Sequence, residues 1–431
     1  MQDAAVTKLN ARALNVTRDR VDPNALDVVS RLKAAGHQAL LVGGCVRDLL
    51  LGAAPKDFDV ATSATPEQVR RIFRRSRMVG RRFKIAHVHY GRQQFVEVST
   101  FRKLLAADEE GDHAAHPDGL ILRDNAYGTL DEDAFRRDFT VNALYYDPHD
   151  DEILDFVGGI EDIERHCLRC IGNPTERLRE DPVRLLRAMR FQAKLGFDID
   201  AGITRDEDLT AERLTAIPPA RLFEEFTKLF MTGHAASAWR ILEASPVRGV
   251  LFPTVPPNSP LIRLAMDNTD RRIADDKPVT PGFLLAVMLW EDYRSRIHEL
   301  AAPGGGRRKP KEAALLAAHE AIAAQRLTIS IPRRFSNFIH DAWHLQERLE
   351  TRRTKQVPRT LSHLRFRAAY DLLLLRAAAG AADQALVDWW EEIQEAGEER
   401  QEAMMATLQA SPRSGKRRRR RRRRGPRRKD A

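Results

Sequence analysis

The sequence predicts an α+β protein with a mixed N-terminal domain, a long helical remainder and a basic tail. Within residues 23–145, segments with apolar residues at helical spacing alternate with short apolar runs that are typical of strands. From about residue 174 onward, segment after segment has helical spacing. Residues 411–431 consist mainly of arginine and lysine and cannot form a core.

The size and composition fit a folded, multidomain protein. The chain has 431 residues, 43% of them hydrophobic and 31% charged. At ~100–200 residues per domain, this length allows about two to four domains. No run is long and apolar enough for a membrane span, and the N-terminus lacks the apolar core of a secretory signal. Three cysteines in the chain exclude a disulfide scaffold, so we expect a cytoplasmic protein.

The elements of the mixed domain follow in a clear order. A helix is predicted from Pro23 to the stop at Gly36, and a second begins after its N-cap, Thr65. The remaining elements before residue 102 are strands at 38–44, 57–62, 77–79, 83–90 and 94–101, with a short helix at 45–52. Residues 103–126 are rich in acidic residues, glycine and histidine, and their composition indicates a surface loop.

The helical remainder begins near residue 174. Its first segments are TERLREDPVRLLRAMRFQAKLG, PARLFEEFTKLFMTG and AASAWRILEAS. Proline and glycine interrupt the pattern at 253–260 and 303–311. Further helices are predicted at 282–302, 311–326, 332–353, 359–380 and 382–406.

Asp57-Phe58-Asp59 is the first motif that indicates chemistry. Residues two apart on a strand point to the same face, so the two carboxylates project together. Like charges that are close repel each other, and a divalent cation with a preference for oxygen, such as Mg²⁺, removes the conflict. Taken alone, an Asp-x-Asp is more often a solvated pair, so its context decides.

That context is a glycine pair at the end of the preceding strand. Gly43 and Gly44 lead into a short helix, where backbone N–H groups approach a phosphate closely. Arg47 follows and offers a guanidinium fork for phosphate oxygens, although a local pair with Asp48 is the simpler reading. A phosphate cradle beside a two-Asp strand is what two-metal phosphoryl or nucleotidyl transfer requires.

The charge of the chain is concentrated in its tail. The net charge is +10, but residues 411–431 carry +12, which leaves −2 for residues 1–410. Such a segment repels itself, so we expect it to be disordered and to bind a polyanion rather than serve only solubility. The run that we assign to RNA binding is Arg417, Arg418, Arg419, Arg420, Arg421, Arg422, Arg423 and Arg424.

Several ordered motifs resemble the class II nucleotidyltransferases, which comprise bacterial poly(A) polymerases and tRNA CCA-adding enzymes. They are LLVGGCVRDLLLG, KDFDVAT, RRDFTVNALYYD, DFVGGIEDI and REDPVRLLRAMRFQAKLGF. VGRRFKIAHV, FRAAYDLLLLRA, Trp389-Trp390 and the arginine-rich end resemble the poly(A) polymerase branch. The resemblance implies a nucleotidyltransferase head with a five-stranded mixed sheet and helical neck and body domains.

The resemblance also implies domain boundaries. We expect a flexible N-terminus over residues 1–22, a catalytic head over 23–160 and a neck for nucleobase and RNA binding over 161–245. A helical, RNA-binding body would then cover 246–408, and the disordered tail 409–431.

By the same resemblance, Asp57 and Asp59 hold Mg²⁺ in a two-metal mechanism. A third carboxylate is expected beside them, for which we favour Asp138 as a catalytic residue over Glu97 as a supporting one. His87 and His89 are interpreted as packing or surface residues. The residues assigned to nucleotide binding are Gly43, Gly44, Arg47, Asp48, Arg137, Asn142, Asp181, Arg184 and Arg187.

Asp181, Arg184 and Arg187 lie at i, i+3 and i+6, close to one helix face. Asp181 precedes Pro182, so N-capping is its simpler role. In the functional reading, the aspartate accepts from a base amino group while an arginine donates to a ring nitrogen. Adenine and cytosine present the same donor–acceptor pair, so this motif alone does not select ATP over CTP.

These observations predict a template-independent poly(A) polymerase that transfers AMP from ATP to the 3′ ends of single-stranded RNA, releases pyrophosphate and promotes RNA decay. Expected partners are RNA, ATP and RNA-decay proteins, with no membrane span. The alternative is a tRNA CCA-adding enzyme. A non-enzymatic RNA-binding adaptor is a third reading, which the intact Asp pair and its glycine cradle disfavour.

Overall fold

The computed structural model describes residues 6–80, 84–91, 94–103, 113–115, 121–124, 126–302 and 309–410. The tail 411–431, with its arginine run, lies outside the described residues, as do residues 81–83 of the VGRRFK segment. The chain divides into two compact units. The first comprises residues up to 258 with 266–279 and 319–331, and the second comprises 259–265, 280–318 and the residues from 332 onward.

The described strands number twelve, and eight of them form one mixed sheet. In chain order they are β1 (Thr7–Asn10), β2 (Ala39–Val42), β3 (Asp59–Thr62), β4 (Ser76–Val79), β5 (Ile85–His89), β6 (Phe95–Thr100), β7 (His113–Ala115), β8 (Ile121–Asp124), β9 (Leu144–Asp147), β10 (Glu152–Asp155), β11 (Cys167–Leu168) and β12 (Asp198–Ile199). The sheet order is β1-β10-β9-β2-β3-β6-β5-β4, in which only β3 and β6 pair in parallel.

The α+β class is confirmed, although the sheet has eight strands where five were expected. All five strands predicted before residue 102 belong to it. The three additional strands, β1, β9 and β10, have four residues each. Runs that short give almost no alternation pattern, so periodicity did not identify them.

The first unit contains twelve described α-helices up to residue 258, together with parts of two later helices. Its helices up to residue 258 are α1 (Pro23–Ala34), α2 (Gly44–Leu50), α3 (Pro66–Ile72), α4 (Leu130–Phe135), α5 (Gly159–Glu164), α6 (Pro174–Glu180), α7 (Val183–Leu195), α8 (Ala201–Thr204), α9 (Glu207–Arg213), α10 (Pro219–Phe230), α11 (Ala235–Glu243) and α12 (Val247–Leu251).

Two helices cover one face of the sheet. α1 packs against β2 and β3, and α3 packs against β4, β5 and β6. Asp22 caps α1 by accepting from the N–H groups of Asn24 and Ala25. The predicted N-cap of α3 is confirmed, since Thr65 forms a reciprocal capping box with Gln68. These caps fix where the two helices begin, and on the opposite face of the sheet Leu40, Val42 and Ala61 belong to a second buried cluster.

The N-terminal segment is a correction to the sequence analysis, which expected residues 1–22 to be flexible. Residues 7–10 form β1, which pairs antiparallel with β10 at the edge of the sheet. Ala11 and Val16 are fully buried, and Ala11 N–H donates to the carbonyl of Asp151 at 2.8 Å. The segment looked loose because its few apolar residues follow no single period.

The helices beyond residue 258 complete the described chain. They are α13 (Pro260–Ala274), α14 (Pro281–Met288), α15 (Trp290–Ala301), α16 (Pro310–Arg326), α17 (Arg333–Thr351), α18 (Val357–Leu361), α19 (Phe366–Ala378), α20 (Gln384–Glu395) and α21 (Glu398–Ala410). In the second unit, the indole N–H of Trp343 donates to the carbonyl of Ala286, and that of Trp390 donates to Leu349. No described helix is both long and apolar enough to cross a membrane.

The expected boundary between head and neck at residue 160 lies inside the first unit and stays a prediction. Residues on both sides belong to the first unit, and α7 packs against β11 and β12 as well as α10 and α11. The segment interpreted as a surface loop contains a short hairpin, because β7 pairs antiparallel with β8.

Candidate active site

The Asp57–Asp59 pair lies where β3 begins. Asp59 is the first residue of β3 and is directly opposite Glu97 on the parallel strand β6. Asp57 precedes it by two residues and is exposed. The pKa of Asp59 is raised to about 6. Burial is the largest cause, and the negative charges of Glu97 and Asp57 add to it, whereas the positive charge of Arg137 lowers the pKa. Three carboxylates therefore share one end of the sheet, and their mutual repulsion adds to the effect of burial on the pKa of Asp59.

The glycine turn faces this pair. Val42, the last residue of β2, is directly opposite Asp59, so the following Gly43 lies beside the carboxylates. Gly43 has φ +80°, a conformation that L side chains rarely adopt, and a Cβ there would come within 3.6 Å of an Arg137 nitrogen. Gly44 then begins α2. The juxtaposition that the sequence analysis expected is thus present.

Arg47 is buried rather than presented to the site. Its side chain is 2% exposed; Nη1 donates to Oδ1 of Asn142 at 2.6 Å, and Nε and Nη2 donate to Oδ1 of Asp48. The guanidinium also lies over the ring of Phe191, 5.2 Å from its centroid. Asp48 in turn accepts from Lys194 at 3.3 Å. Arg47 and Asp48 therefore connect α2 to α7, and this geometry favours positioning over a direct grip on phosphate.

Arg137 is held from behind by a buried carboxylate. Its Nε and Nη2 donate to Oδ2 of Asp133 at 3.2 and 2.9 Å, and the Tyr145 hydroxyl donates to the same oxygen at 2.8 Å. Burial alone would raise the pKa of Asp133, but Arg137 and Arg136 hold it well below its usual range. The remaining nitrogen, Nη1, is the one that lies near Gly43. Arg137 is thereby oriented toward the glycine turn.

Asp138 lies in a different part of the site from the carboxylate pair. Its Oδ2 accepts from Arg187 Nε at 2.6 Å, and its Oδ1 accepts from the N–H of Phe139 at 2.9 Å. Burial opposes ionisation, yet Arg187 lowers the pKa of Asp138 to about 2. The charged groups that act on Asp59 include Glu97 and not Asp138. The strand register places Glu97 opposite Asp59, whereas Asp138 is paired with Arg187, and the role of either as the third carboxylate stays a prediction.

The three residues expected to read the base are brought together with these groups. Asp181 accepts from Arg221 Nη2 at 2.5 Å and from the N–H of Val183 at 3.3 Å, so it both caps a helix and forms an ion pair. Arg184 Nη1 donates to the carbonyl of Arg177 at 2.9 Å. Burial, followed by Arg177, lowers the pKa of Arg184, and its Nε is buried without a partner. An unsatisfied buried donor is an observation that a bound base would explain.

Sequence reasoning missed several residues of this site. Asp133 precedes Arg136 and Arg137 by three and four residues, a helical spacing that could have revealed the ion pairs. Tyr145 is internal to a motif that was recognised as a whole. Arg221 belongs to α10, 40 residues beyond Asp181, and gives no local signal.

The described residues contain no group of three or more His, Cys, Asp or Glu side chains arranged to hold a metal ion. The donor set nevertheless suits Mg²⁺, which is commonly bound through one or two carboxylates together with substrate phosphates. Asp57 and Asp59 supply those carboxylates, and the raised pKa of Asp59 is the effect that a cation would relieve.

A mixed sheet carrying an acidic pair, a facing glycine turn and a cluster of buried arginines defines a nucleotidyltransferase. The family models agree: residues 39–169 match the "Poly A polymerase head domain", 196–257 the "Probable RNA and SrmB- binding site of polymerase A" and 306–425 the "Polymerase A arginine-rich C-terminus". Together the matches cover more than half of the chain.

Close relatives point to the same family. Poly(A) polymerase I of Escherichia coli O157:H7 is 43% identical over 396 residues, covering 88% of this chain and 84% of the relative. Poly(A) polymerase I of Haemophilus influenzae (strain ATCC 51907 / DSM 11121 / KW20 / Rd) is 42% identical over 383 residues, covering 86% and 84%. The chain belongs to the bacterial poly(A) polymerase family, which confirms the resemblance seen in its motifs.

CCA-adding enzymes are related more distantly. The CCA-adding enzyme of Lactobacillus helveticus (strain DPC 4571) is 38% identical over 218 residues, covering 50% of this chain and 52% of the relative. Among solved structures, the Bacillus stearothermophilus CCA-adding enzyme in complex with CTP has a TM-score of 0.59 at 26% identity, covering 90% of this chain and 93% of that chain. The likeness to that structure supports the shared fold.

The raised pKa of Asp59 predicts a pH-dependent cost in the metal-free protein. Because the pKa rises from an ordinary 3.8 to about 6, folding stability falls as the pH increases across that interval, and the cost is complete above it. We expect Asp59→Asn to raise the free energy of unfolding in EDTA at pH 7.5 by on the order of 2 kcal/mol. The gain should shrink toward pH 4.

Denaturant unfolding of both proteins across this pH range measures the effect. Asp57→Asn is the matched control and should give a smaller gain, because Asp57 is exposed. An Asp59→Asn protein no more stable than the wild type at pH 7.5 in EDTA would show that the carboxylates do not strain the site.

Proposed function

We propose that this protein polyadenylates RNA 3′ ends without a template, transferring AMP from ATP to the terminal hydroxyl and releasing pyrophosphate. The observation that carries this proposal is its 43% identity to a poly(A) polymerase I over 88% of the chain. The acidic pair beside a glycine turn supports the chemistry, and the match of residues 196–257 to a probable RNA-binding site of polymerase A supports an RNA substrate. We further propose that the product promotes RNA decay, in concert with decay proteins.

In the mechanism that we infer, the chain's own residues position the triphosphate. Gly43 and Gly44 leave room for phosphate oxygens beside Asp59, and Arg137 places a guanidinium nitrogen at that turn. Asp57 and Asp59 would hold Mg²⁺, with Glu97 as the neighbouring carboxylate. When bound, the metal supplies a lower pKa for the attacking hydroxyl and neutralises charge on the phosphates.

The neck residues are proposed to bind the base. Arg184 has a buried Nε without a partner, and Asp181 and Arg187 are each fixed by an ion pair. A rigid set of donors and acceptors holds the base in one orientation and places the α-phosphate in line with the 3′-hydroxyl. Asn142 and Asp48 act by orienting Arg47, to which both are hydrogen-bonded.

The function is tested by incubating an RNA primer with each of the four nucleoside triphosphates separately and sizing the products on a gel. We expect a long ladder with ATP and Mg²⁺ and little extension with CTP, UTP or GTP. Asp57→Ala should abolish extension with an unchanged melting temperature, because the exposed carboxylate serves the metal and not the core.

The other readings give distinct results. Addition of two C residues and one A to a tRNA would identify a CCA-adding enzyme. RNA binding without pyrophosphate release would identify an adaptor. Substantial Mg²⁺-dependent activity in the Asp57→Ala protein would refute the metal assignment.

Arg184→Ala should weaken ATP binding and the preference for ATP over the other nucleotides. Losing a hydrogen bond to a buried base costs on the order of 1–3 kcal/mol, which corresponds to roughly 5- to 150-fold in apparent affinity. The KM values for ATP and CTP measure the change.

Arg179→Ala is the control, since Arg179 is exposed on α6 and its side chain forms no ion pair with a described residue. Unfolding curves establish that each variant is folded. Unchanged ATP affinity and unchanged ATP preference in Arg184→Ala would contradict a base-binding role.

Truncation after Ala410 should weaken RNA binding and preserve catalysis at saturating primer. The removed segment carries +12, whereas residues 1–410 carry −2, so the tail supplies most of the long-range attraction. Each phosphate neutralised on a single strand contributes about 0.7 to the salt slope, so losing six contacts flattens it by roughly four. Binding titrations across KCl concentrations give the salt slope of the full chain and that of the truncated chain. Equal slopes would show that the tail does not contact RNA and would favour a role in solubility.

A further inference from the structure

We propose that the open face of the sheet beside the carboxylates binds the last nucleotides of a single-stranded RNA primer. Phe95 and His89 would stack on bases, and Arg75 and Arg77 would contact phosphates. This inference rests on the proposed function, because it assigns a path for the primer that the reaction requires.

The strand register places four polar side chains in one row across the sheet. Asp59 is opposite Glu97, Glu97 is opposite His87, and His87 is opposite Arg77. Residues directly opposite each other point to the same face, so the row runs from the acidic pair to an arginine on the edge strand β4. Three strand spacings of about 4.8 Å make it roughly 14 Å long.

Over β6, β5 and β4 this face is open, whereas the opposite face is covered; over β2 and β3 the same face carries the buried cluster of Leu40, Val42 and Ala61. Ala86, Val88 and Val98 alternate with the row and are buried on the side covered by α1 and α3. The row itself is accessible: the Glu97 side chain is 42% exposed, and its Oε1 lies 3.3 Å from Nε2 of His87. An exposed strip therefore leads directly away from the carboxylates.

Aromatic rings lie along the strip. Phe95 is opposite His89, is 45% exposed and stacks on His87 with ring centroids 4.2 Å apart. His89 lies 5.8 Å from the same ring at a tilt. Phe95 thus remains 45% exposed although it contacts both histidines, and it lies two residues before Glu97 on β6. Bases of any sequence stack on such a platform, which suits a primer of arbitrary sequence.

Beyond His89 the surface is strongly basic. His89 N–H donates to the carbonyl of Arg75 at 2.9 Å, and both residues line a cavity of about 410 Å³ together with Arg71, Arg74 and Val88, so the cavity lies where the open face meets the side covered by α1 and α3. Arg31 also lines it but is paired with Asp27. Arg71, Arg74, Arg75 and Arg77 form no ion pair with any described residue. Unpaired guanidinium groups of this density match a polyanion.

The groups at the two ends of the strip indicate which ligand binds there. One end is the acidic pair, where the primer's 3′-hydroxyl must react, and the other is a set of unpaired arginines with stacking rings between them. A nucleic acid strand alternates bases and phosphates in that way. An acidic protein would match the arginines but would leave Phe95 and the row of histidines without a role.

The test measures KM for a six-nucleotide oligo(A) primer with the full chain. In the Arg75→Ala/Arg77→Ala protein, we expect the primer KM to rise about tenfold at 150 mM KCl, with the ATP KM within twofold of wild type. The slope of log KM against log KCl concentration should decrease by about 1.4, because two phosphate contacts are lost and each contributes about 0.7 to the slope.

Arg18→Ala/Arg70→Ala is the matched control, since it removes the same charge from two exposed arginines of the same unit that do not line the strip or the cavity. Its primer KM should change less than twofold. Equal changes in the two double variants, an unchanged primer KM or a raised ATP KM would each overturn the inference. Failure of the wild type to incorporate AMP would instead refute the proposed function.

Phe95→Ala tests the stacking step independently. Its primer KM should rise about fivefold, and Phe95→Tyr should restore it, because tyrosine keeps the ring. A primer with abasic nucleotides before its 3′ end should bind wild type and Phe95→Ala equally. If the ratio of KM for the abasic primer to KM for the intact primer is the same in Phe95→Ala as in the wild type, Phe95 is not a stacking surface.

Discussion

The repulsion among Asp57, Asp59 and Glu97 is the constraint on which the site is organised. Strand pairing places Asp59 beside Glu97, and partial burial prevents water from screening the two charges fully. The fold tolerates this cost because β3 and β6 are fixed on both sides by other strands. Arg137 supplies an opposing positive charge. The position of its guanidinium group therefore determines how much of the carboxylate repulsion remains for a substrate and its metal to neutralise.

Arginines in this protein therefore fall into two groups with different physical roles. Arg47 and Arg177 are buried and engaged by carboxylates, amides and carbonyls, so they connect elements of the first unit. Arg376 does the same in the second unit, through Gln346 and Glu350. Removing such a group leaves partners unpaired in the interior, which is costly. Within the described part of the chain, exposed arginines such as Arg75 and Arg77 form no buried contacts with the guanidinium group, so they can bind a ligand.

The sequence was sufficient for the class of the fold and for the centre of the site, because both depend on local signals. The glycine pair, Asp57 and Asp59 lie within one strand–turn–strand segment, and Thr65 caps its helix by local hydrogen bonds. Ion pairs between residues that are far apart in the sequence could not be predicted from local patterns. The ion pair of Asp138 with Arg187 joins residues 49 apart, and no local pattern predicts it.

Helix boundaries show the same limit. One helix was predicted over residues 282–302, whereas the chain forms α14 and α15 with a break at Leu289. No proline or glycine marks that break, so composition could not reveal it. The three four-residue strands were missed for a related reason, since a pattern of that length is shared by loops and strands alike.

Base selection is the property for which rigidity matters most. Adenine and cytosine offer Asp181 and Arg184 the same donor and acceptor, so hydrogen-bonding groups free to move would accept either base. Arg221 fixes Asp181, the carbonyl of Arg177 holds Arg184, and Asp138 holds Arg187. Groups held in this way cannot follow the smaller ring to a new position without breaking a buried pair. In the base-binding role that we propose for these residues, discrimination would then come from the cost of reorganising the pocket, which the neck's own ion pairs set, rather than from any contact unique to adenine.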